Sequence, residues 1–94
     1  MSTLEPNQIT TALRDLDGWR HDDGRIVRQL EFDSFGEAIA FINRVAELAD
    51  EADHHPDLSN SYNRVEVALT THSAGGVTQK DLDLAARVDG VVSP

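Results

Sequence analysis

The spacing of apolar residues changes along this chain, and that change constrains the fold more than any other feature. Residues 25–33 alternate between the two sides of an extended segment, as in a β-strand with one covered face. Ser34-Phe35-Gly36-Glu37 then has the S-x-x-E form of a helix capping box, with Ser34 as the N-cap. The helix that it opens is predicted to run to about Asp53, so a strand leads directly into a long amphipathic helix.

This predicted helix carries two apolar stripes rather than one. Together they form an arc wider than packing against one sheet face requires. Two explanations stay open: a broad core-facing surface, which is the commoner case, and a contact between subunits. The stripes are Phe35, Ile39, Ile42, Ala46 and Ala49, and Phe41, Val45, Leu48 and Ala52.

The remaining segments are predicted to form two further helices and two further strands. A helix is predicted from about Pro6 to Asp15, a short strand from Trp19 to a turn at Asp23-Gly24, a strand from about Ser61 to His72, and a last helix capped by Thr78 and closed by Gly90. Gly75-Gly76 marks a turn or a brief hairpin before the last helix. The order predicts an α+β class, with the helices on one face of a largely antiparallel sheet.

Composition and charge exclude several classes of function. Ninety-four residues predict one domain over residues 1–94. The net charge is −9, from 17 acidic and 8 basic side chains, with no basic stripe for nucleic acid. The chain has no cysteine and no apolar run of about 20 residues. We therefore expect a cytoplasmic protein that binds neither nucleic acid nor membrane, and whose ligand is a neutral or weakly polar small molecule.

His54-His55-Pro56 is the strongest functional signal. Imidazole has an unperturbed pKa of about 6.5, so it exchanges protons near neutral pH. Pro56 disfavours a helical conformation for His55, which places the pair where the long helix stops. Asp50 lies four residues before His54 and is expected to hold it. The pattern favours a general acid/base site; the alternative is a histidine that only caps the helix end.

Three residues further along could join this site. His72 is either a third proton-transfer group or an ordinary strand-end residue. Asp81 closes the capping box Thr78-Gln79-Lys80-Asp81, and it could still hold an imidazole while doing so. Tyr62 could line a slot for a ring-shaped ligand or pack in the core. His21, in a short polar strand, supports no prediction.

Other kinds of site are poorly supported. Asp50, His54, His55 and His72 could bind a metal, but adjacent histidines in an extended stretch point apart, and no compact zinc motif is present. Gly75-Gly76 precedes a helix without the Lys-Ser/Thr that a phosphate-binding loop needs. No metal ligand is therefore predicted.

The spacing of these residues resembles the signature of the pterin-4a-carbinolamine dehydratases. The motif runs Asp50-x-x-x-His54-His55-Pro56, five residues, Tyr62, nine residues, His72, eight residues, Asp81. Similarity extends over roughly residues 5 to 90, and is also carried by Gly18-Trp19, Leu30-Glu31-Phe32, Phe41 to Val45, Tyr62-Asn63 and Thr78 to Asp81. Two departures stand out: Asp50 replaces the usual Glu, and Leu58 stands where many members have Trp.

The resemblance implies a four-stranded antiparallel sheet with three helices, in the order α-β-β-α-β-β-α, assembled as a homodimer or homotetramer. It implies a hydro-lyase, the 4a-hydroxytetrahydrobiopterin dehydratase, which converts 4a-hydroxytetrahydropterin to quinonoid dihydropterin in pterin recycling without cofactor or metal. The implied catalytic residues are His54, His55, His72 and Asp81; His55, Pro56, Tyr62 and Asp50 are expected to bind substrate. The alternative is a non-catalytic module of the same fold that stabilises a partner protein.

Overall fold

The computed structural model describes residues 2–92, which form three helices and four strands in the predicted order. The helices are α1 (Pro6–Leu13), α2 (Phe35–Ala52) and α3 (Gln79–Val92), and the strands are β1 (Trp19–Asp22), β2 (Arg25–Glu31), β3 (Asp57–Ser61) and β4 (Arg64–Leu69). The strands form one antiparallel sheet in the order β1-β2-β4-β3. The predicted α+β class is confirmed.

The core lies between the helices and one face of the sheet. Strand residues Ile26, Val67 and Leu69 are fully buried there and pack with Phe41 and Val45 of α2. Burial of side chains of this size stabilises the folded state by roughly 1.5–3 kcal/mol each. The first predicted stripe of α2 is only partly in this core: Phe35 is half exposed and Ala46 is exposed.

The start of α2 follows the prediction from sequence. Ser34 Oγ accepts a hydrogen bond from the Glu37 backbone N–H at 3.1 Å, and the Glu37 carboxylate accepts one from the Asp33 N–H at 3.2 Å. These bonds satisfy backbone donors that have no partner within the helix. The strand that precedes α2 therefore passes into the helix at a fixed point.

The strand predicted over residues 61–72 is wrong in its bounds. The chain forms a β-hairpin instead, with β3 and β4 paired and a two-residue turn at Tyr62-Asn63. Tyr62 has a φ of 53°, in the left-handed region that lies outside regular β-strand geometry. The fourth strand therefore precedes β4, whereas Gly75-Gly76 lies in a short loop closed by one bridge between Thr71 and Gly76.

The last helix is longer than predicted. It continues through Gly90 to Val92, because a glycine in a helix interior costs only about 1 kcal/mol relative to alanine. Asp89 in its last turns binds the sheet: its Oδ1 accepts hydrogen bonds from Trp19 Nε1 at 2.8 Å and from Arg28 at 2.5 Å. None of the helices in residues 2–92 is both long and apolar enough to cross a membrane.

Candidate active site

The C-terminus of α2 sets the direction of the histidine pair. Asp53 adopts the left-handed conformation, with φ 51° and ψ 43°. The backbone N–H of Asp53 donates to the Asp50 carbonyl at 3.2 Å, and that of His54 donates to the Ala49 carbonyl at 3.1 Å. This pair of bonds is the Schellman motif that ends many helices. The chain thereby leaves the helix axis one residue before His54.

His54 turns inward and contacts a buried carboxylate. Its Nε2 lies 2.5 Å from Oδ1 of Asp81. The His54 side chain is 10% exposed, and that of Asp81 is completely buried. Asp81 is the third residue of α3, where the partial positive charge of the helix N-terminus stabilises a carboxylate. The imidazole is thus anchored at one nitrogen, inside the protein.

The second oxygen of Asp81 is held by two further donors. Oδ2 accepts a hydrogen bond from the backbone N–H of Thr78 at 2.9 Å and one from the Thr71 hydroxyl, also at 2.9 Å. The Thr71 and Thr78 hydroxyl oxygens lie 2.7 Å apart. Asp81 therefore caps α3 and holds an imidazole at the same time, as the capping-box pattern allowed.

Thr71 and Thr78 are the functional candidates that the sequence analysis missed. Within residues 2–92, the buried polar side chains are Thr71, Thr78 and Asp81, and all three belong to this one network. A signal was available, since Thr71 continues the apolar alternation of Val67 and Leu69 along the strand predicted from the sequence. A threonine on a buried face needs a hydrogen-bond partner, and that partner is Asp81.

Asp50 does not hold His54, contrary to the prediction. Its Oδ1 instead lies 3.0 Å from Nε2 of His55, and both side chains are largely exposed, at 79% and 61%. The expected contact required four residues of continuous helix between Asp50 and His54. The left-handed Asp53 breaks that geometry, so His54 turns toward α3 and His55 takes the place beside Asp50.

The other predicted site residues differ in how near they lie to His54 and Asp81. His72 is exposed and is the first residue of the loop between Thr71 and Gly76, directly after the threonine that binds Asp81. Pro56 is partly buried and immediately precedes β3. Tyr62 is 67% exposed in the hairpin turn at the opposite end of β3, so it does not pack in the core and does not lie beside the histidines within the chain.

No group of three or more His, Asp or Glu side chains in residues 2–92 lies close enough to share a metal ion. A concavity of about 380 Å³ lies along β2, β4 and β3, away from the histidines, and is lined by Gln29, Ser59, Arg64 and Glu66, among others. No histidine of residues 2–92 lines this concavity.

Comparison with known proteins gives matches over almost the whole chain. A family model described as "Pterin 4 alpha carbinolamine dehydratase" matches residues 2–91. A protein of Thermomicrobium roseum is 46% identical over 99% of this chain and 100% of its own length. One from Mycobacterium avium is 47% identical over 98% of each chain. Both relatives are provisionally named pterin-4-alpha-carbinolamine dehydratase.

Solved structures show the same fold. The crystal structure of a "transcriptional coactivator/pterin dehydratase" from Brucella melitensis has a TM-score of 0.94 and 38% identity, over 98% of this chain and 100% of that one. A second structure has a TM-score of 0.69 over 81% of this chain and 90% of that one. It is described as a pterin dehydratase-like protein that is a RuBisCO assembly factor in the α-carboxysome, and at 23% identity the likeness concerns the fold alone.

Proposed function

The chain belongs to the pterin 4 alpha carbinolamine dehydratase family, and we propose that it dehydrates a 4a-hydroxytetrahydropterin to the quinonoid dihydropterin. The observation that carries this proposal is His54, a partly buried imidazole held by the buried carboxylate of Asp81. An imidazole that is anchored at one nitrogen can present the other to a substrate in a fixed position. We further propose that residues 1–94 form one such domain and that it acts in the cytoplasm.

The proposed reaction is an acid/base elimination. An imidazolium donates a proton to the 4a-hydroxyl, the C–O bond breaks, and water leaves while the lone pair of the adjacent ring nitrogen forms a C=N bond. A second group removes the proton from that nitrogen, which returns the site to its starting charge. General acid catalysis of this kind contributes typically 10²- to 10⁴-fold, roughly 3 to 5 kcal/mol.

The histidines divide these tasks in the proposal. His54 and His72 transfer protons on either side of the pterin ring, since His72 directly follows Thr71, whose hydroxyl contacts Asp81. His55 and Asp50, which form an exposed pair 3.0 Å apart, position the polar edge of the substrate together with Pro56. Tyr62, which is also expected to contact the substrate, lies at the other end of β3 in the exposed hairpin turn.

Variants of single histidines test the assignment. With a synthetic 4a-hydroxytetrahydropterin as substrate, His54→Ala and His72→Ala should each lower kcat at least 100-fold, the lower bound for general acid catalysis. His21→Ala is a matched control, since His21 is an exposed histidine in β1. The unaided dehydration must be subtracted from every rate. Full activity in a folded variant that lacks both His54 and His72 would overturn the acid/base assignment.

We propose that the reaction uses neither metal nor cofactor. Dialysis against a chelator should leave the catalysed rate unchanged. If the histidines were metal ligands, chelation would abolish activity and added zinc would restore it, because ligands must bind through unprotonated nitrogens. Loss of activity with EDTA and rescue by zinc would therefore contradict the proposal.

We also propose that the chain assembles into a homodimer or homotetramer through the outer face of α2. Phe35 is half exposed there, and Ile39 and Ala46 follow it at helical spacing without joining the core cluster. Light scattering at micromolar concentration should give at least twice the monomer mass, and Phe35→Glu should reduce it. Asn7→Glu, on the exposed side of α1, is the control. A stable monomer in the unmodified chain would refute the proposal.

A second candidate function is a non-catalytic assembly module. The observation that favours it is the fold shared with the pterin dehydratase-like protein described as a RuBisCO assembly factor. Absence of any catalysed dehydration in a folded, oligomeric preparation would support this alternative. Catalysis that depends on His54 would favour the enzyme.

A further inference from the structure

The hydrogen-bond network around Asp81 can be assigned proton by proton. Thr71 has one hydroxyl proton, and its Oγ1 lies 2.9 Å from Asp81 Oδ2, so that proton is donated to the carboxylate. Thr78 Oγ1 lies 2.7 Å from Thr71 Oγ1, and must therefore be the donor in that contact. The Thr78 backbone N–H donates a second bond to Oδ2. The two threonines thus supply a directed chain of donors that ends on Asp81.

This donor chain determines the role of the other carboxylate oxygen. Two hydrogen bonds on Oδ2 and the N-terminus of α3 both stabilise the charged form of Asp81. A carboxylate only accepts hydrogen bonds, so the 2.5 Å contact between Oδ1 and His54 requires a proton on Nε2 of the imidazole. Neutral His54 then has an unprotonated Nδ1.

Nδ1 of His54 is the nitrogen that remains available. It has no hydrogen-bond partner within residues 2–92. Arg28 Nε is the buried side-chain nitrogen or oxygen in these residues that lacks a partner, so Nδ1 is not completely buried. The fold therefore anchors one nitrogen of His54 and leaves the other partly exposed.

We propose that Thr71 and Thr78 are positioning residues that fix His54 with its proton on Nε2, so that Nδ1 is the atom that exchanges a proton with the substrate. The second half rests on the proposed dehydratase function; the tautomer itself does not. Thr71 is suited to this role because its backbone N–H also donates to the Gly76 carbonyl at 3.0 Å. It thus ties the loop that carries His72 to the carboxylate that holds His54.

Nitrogen NMR tests the tautomer independently of activity. In the ¹⁵N-labelled full chain, long-range proton–nitrogen correlations of neutral His54 should show a protonated Nε2 and an unprotonated Nδ1. His54→Gln identifies the signals by their loss. In Thr71→Val the Asp81 carboxylate keeps only the Thr78 N–H on Oδ2, so it is held less firmly against His54. The second tautomer should then become populated, and the two nitrogen shifts should move toward each other. Thr71→Ser, which keeps the hydroxyl, should restore the shifts of the unmodified chain.

Kinetics test the positioning role. Thr71→Val should lower kcat roughly tenfold, which corresponds to about 1.4 kcal/mol, with KM within about twofold. Thr71→Ser should recover most of the rate. Thr70→Val is the matched control, because the Thr70 hydroxyl donates to the Gly24 carbonyl and has no contact with this network.

The NMR and kinetic measurements distinguish a failure of this inference from a failure of the proposed dehydratase function. If the unmodified chain catalyses no dehydration, the proposed function fails while the NMR spectra still decide the tautomer. A proton on Nδ1 of neutral His54 in the unmodified chain would overturn the inference. So would a Thr71→Val variant whose nitrogen shifts match those of the unmodified chain.

Discussion

Asp81→Asn is the substitution that bears most directly on the chemistry of this site, because it preserves shape while reversing one hydrogen bond. The amide oxygen can replace Oδ2 and accept from the Thr78 N–H and the Thr71 hydroxyl, both at 2.9 Å in the unmodified chain. The amide NH₂ then faces Nε2 of His54, where the carboxylate oxygen lies 2.5 Å away. Two donors cannot share that contact, so the imidazole must move its proton to Nδ1.

The magnitude follows from what is kept and what is lost. Three hydrogen bonds to a carboxylate weaken by about 1 kcal/mol each when they become neutral, while removal of a completely buried charge relieves a desolvation cost of several kcal/mol. These effects oppose each other, so we expect stability to change by no more than about 2 kcal/mol. Activity should change far more, because Nδ1 of neutral His54 would then carry a proton and could not accept one from the substrate. The loss expected in kcat is 10²- to 10⁴-fold.

The assay is steady-state dehydration of a synthetic 4a-hydroxytetrahydropterin, followed by absorbance after subtraction of the unaided rate. Thermal unfolding of the same samples reports whether the fold is kept. Asp83→Asn makes the same change of charge on the exposed side of α3, where the carboxylate binds only the Gln79 amide among the described residues, and it should leave kcat unchanged. An Asp81→Asn variant that is folded and retains kcat within about twofold would refute the reasoning.

Three further predictions concern the surroundings of the site. His55→Ala should raise KM with little change in kcat or stability, because its exposed pair with Asp50 contributes at most about 1 kcal/mol; steady-state kinetics that show a lower kcat at constant KM would contradict this. Asp53→Gly should raise the free energy of unfolding by about 0.5–1 kcal/mol, since glycine adopts the left-handed conformation more readily; a lower denaturant midpoint would count against it. Asp89→Ala should lower stability by about 2 kcal/mol, because it leaves the largely buried Arg28 guanidinium and an indole N–H without their acceptor; an unchanged urea midpoint would show that the pair contributes nothing.

The sequence predicts those parts of the fold that follow from local patterns. The start of α2 at Ser34 and the buried face of β4 both depend on short-range signals, a capping box and an alternation of apolar residues. The β3 strand could not be found in this way. Residues 57–61 contain no β-branched or aromatic side chain, and all five are exposed, so nothing in their spacing distinguishes them from a loop.

The sequence predicts which residues form the site better than it predicts which of them contact each other. The sequence indicates that Asp81 can cap α3 and hold an imidazole, and both contacts are present. It does not indicate which histidine Asp81 holds. That choice depends on one backbone conformation, the left-handed Asp53, which interrupts helical spacing between Asp50 and His54. Several residues near the end of the helix could have adopted the left-handed conformation, and no repeating sequence pattern indicates which one does.

Replacing Asp81 by a smaller or apolar residue cannot separate its contribution to folding stability from its role in catalysis. Buried ion pairs can often be replaced by apolar residues without loss of stability. Here an apolar residue would leave the Thr78 N–H and the Thr71 hydroxyl buried without an acceptor, at a cost of about 1–3 kcal/mol each. A chain with alanine or leucine at this position would therefore lose activity whether or not Asp81 takes part in proton transfer. Only a substitution that keeps an acceptor for these donors and removes the one for His54 distinguishes the two roles, and asparagine is the residue that does so.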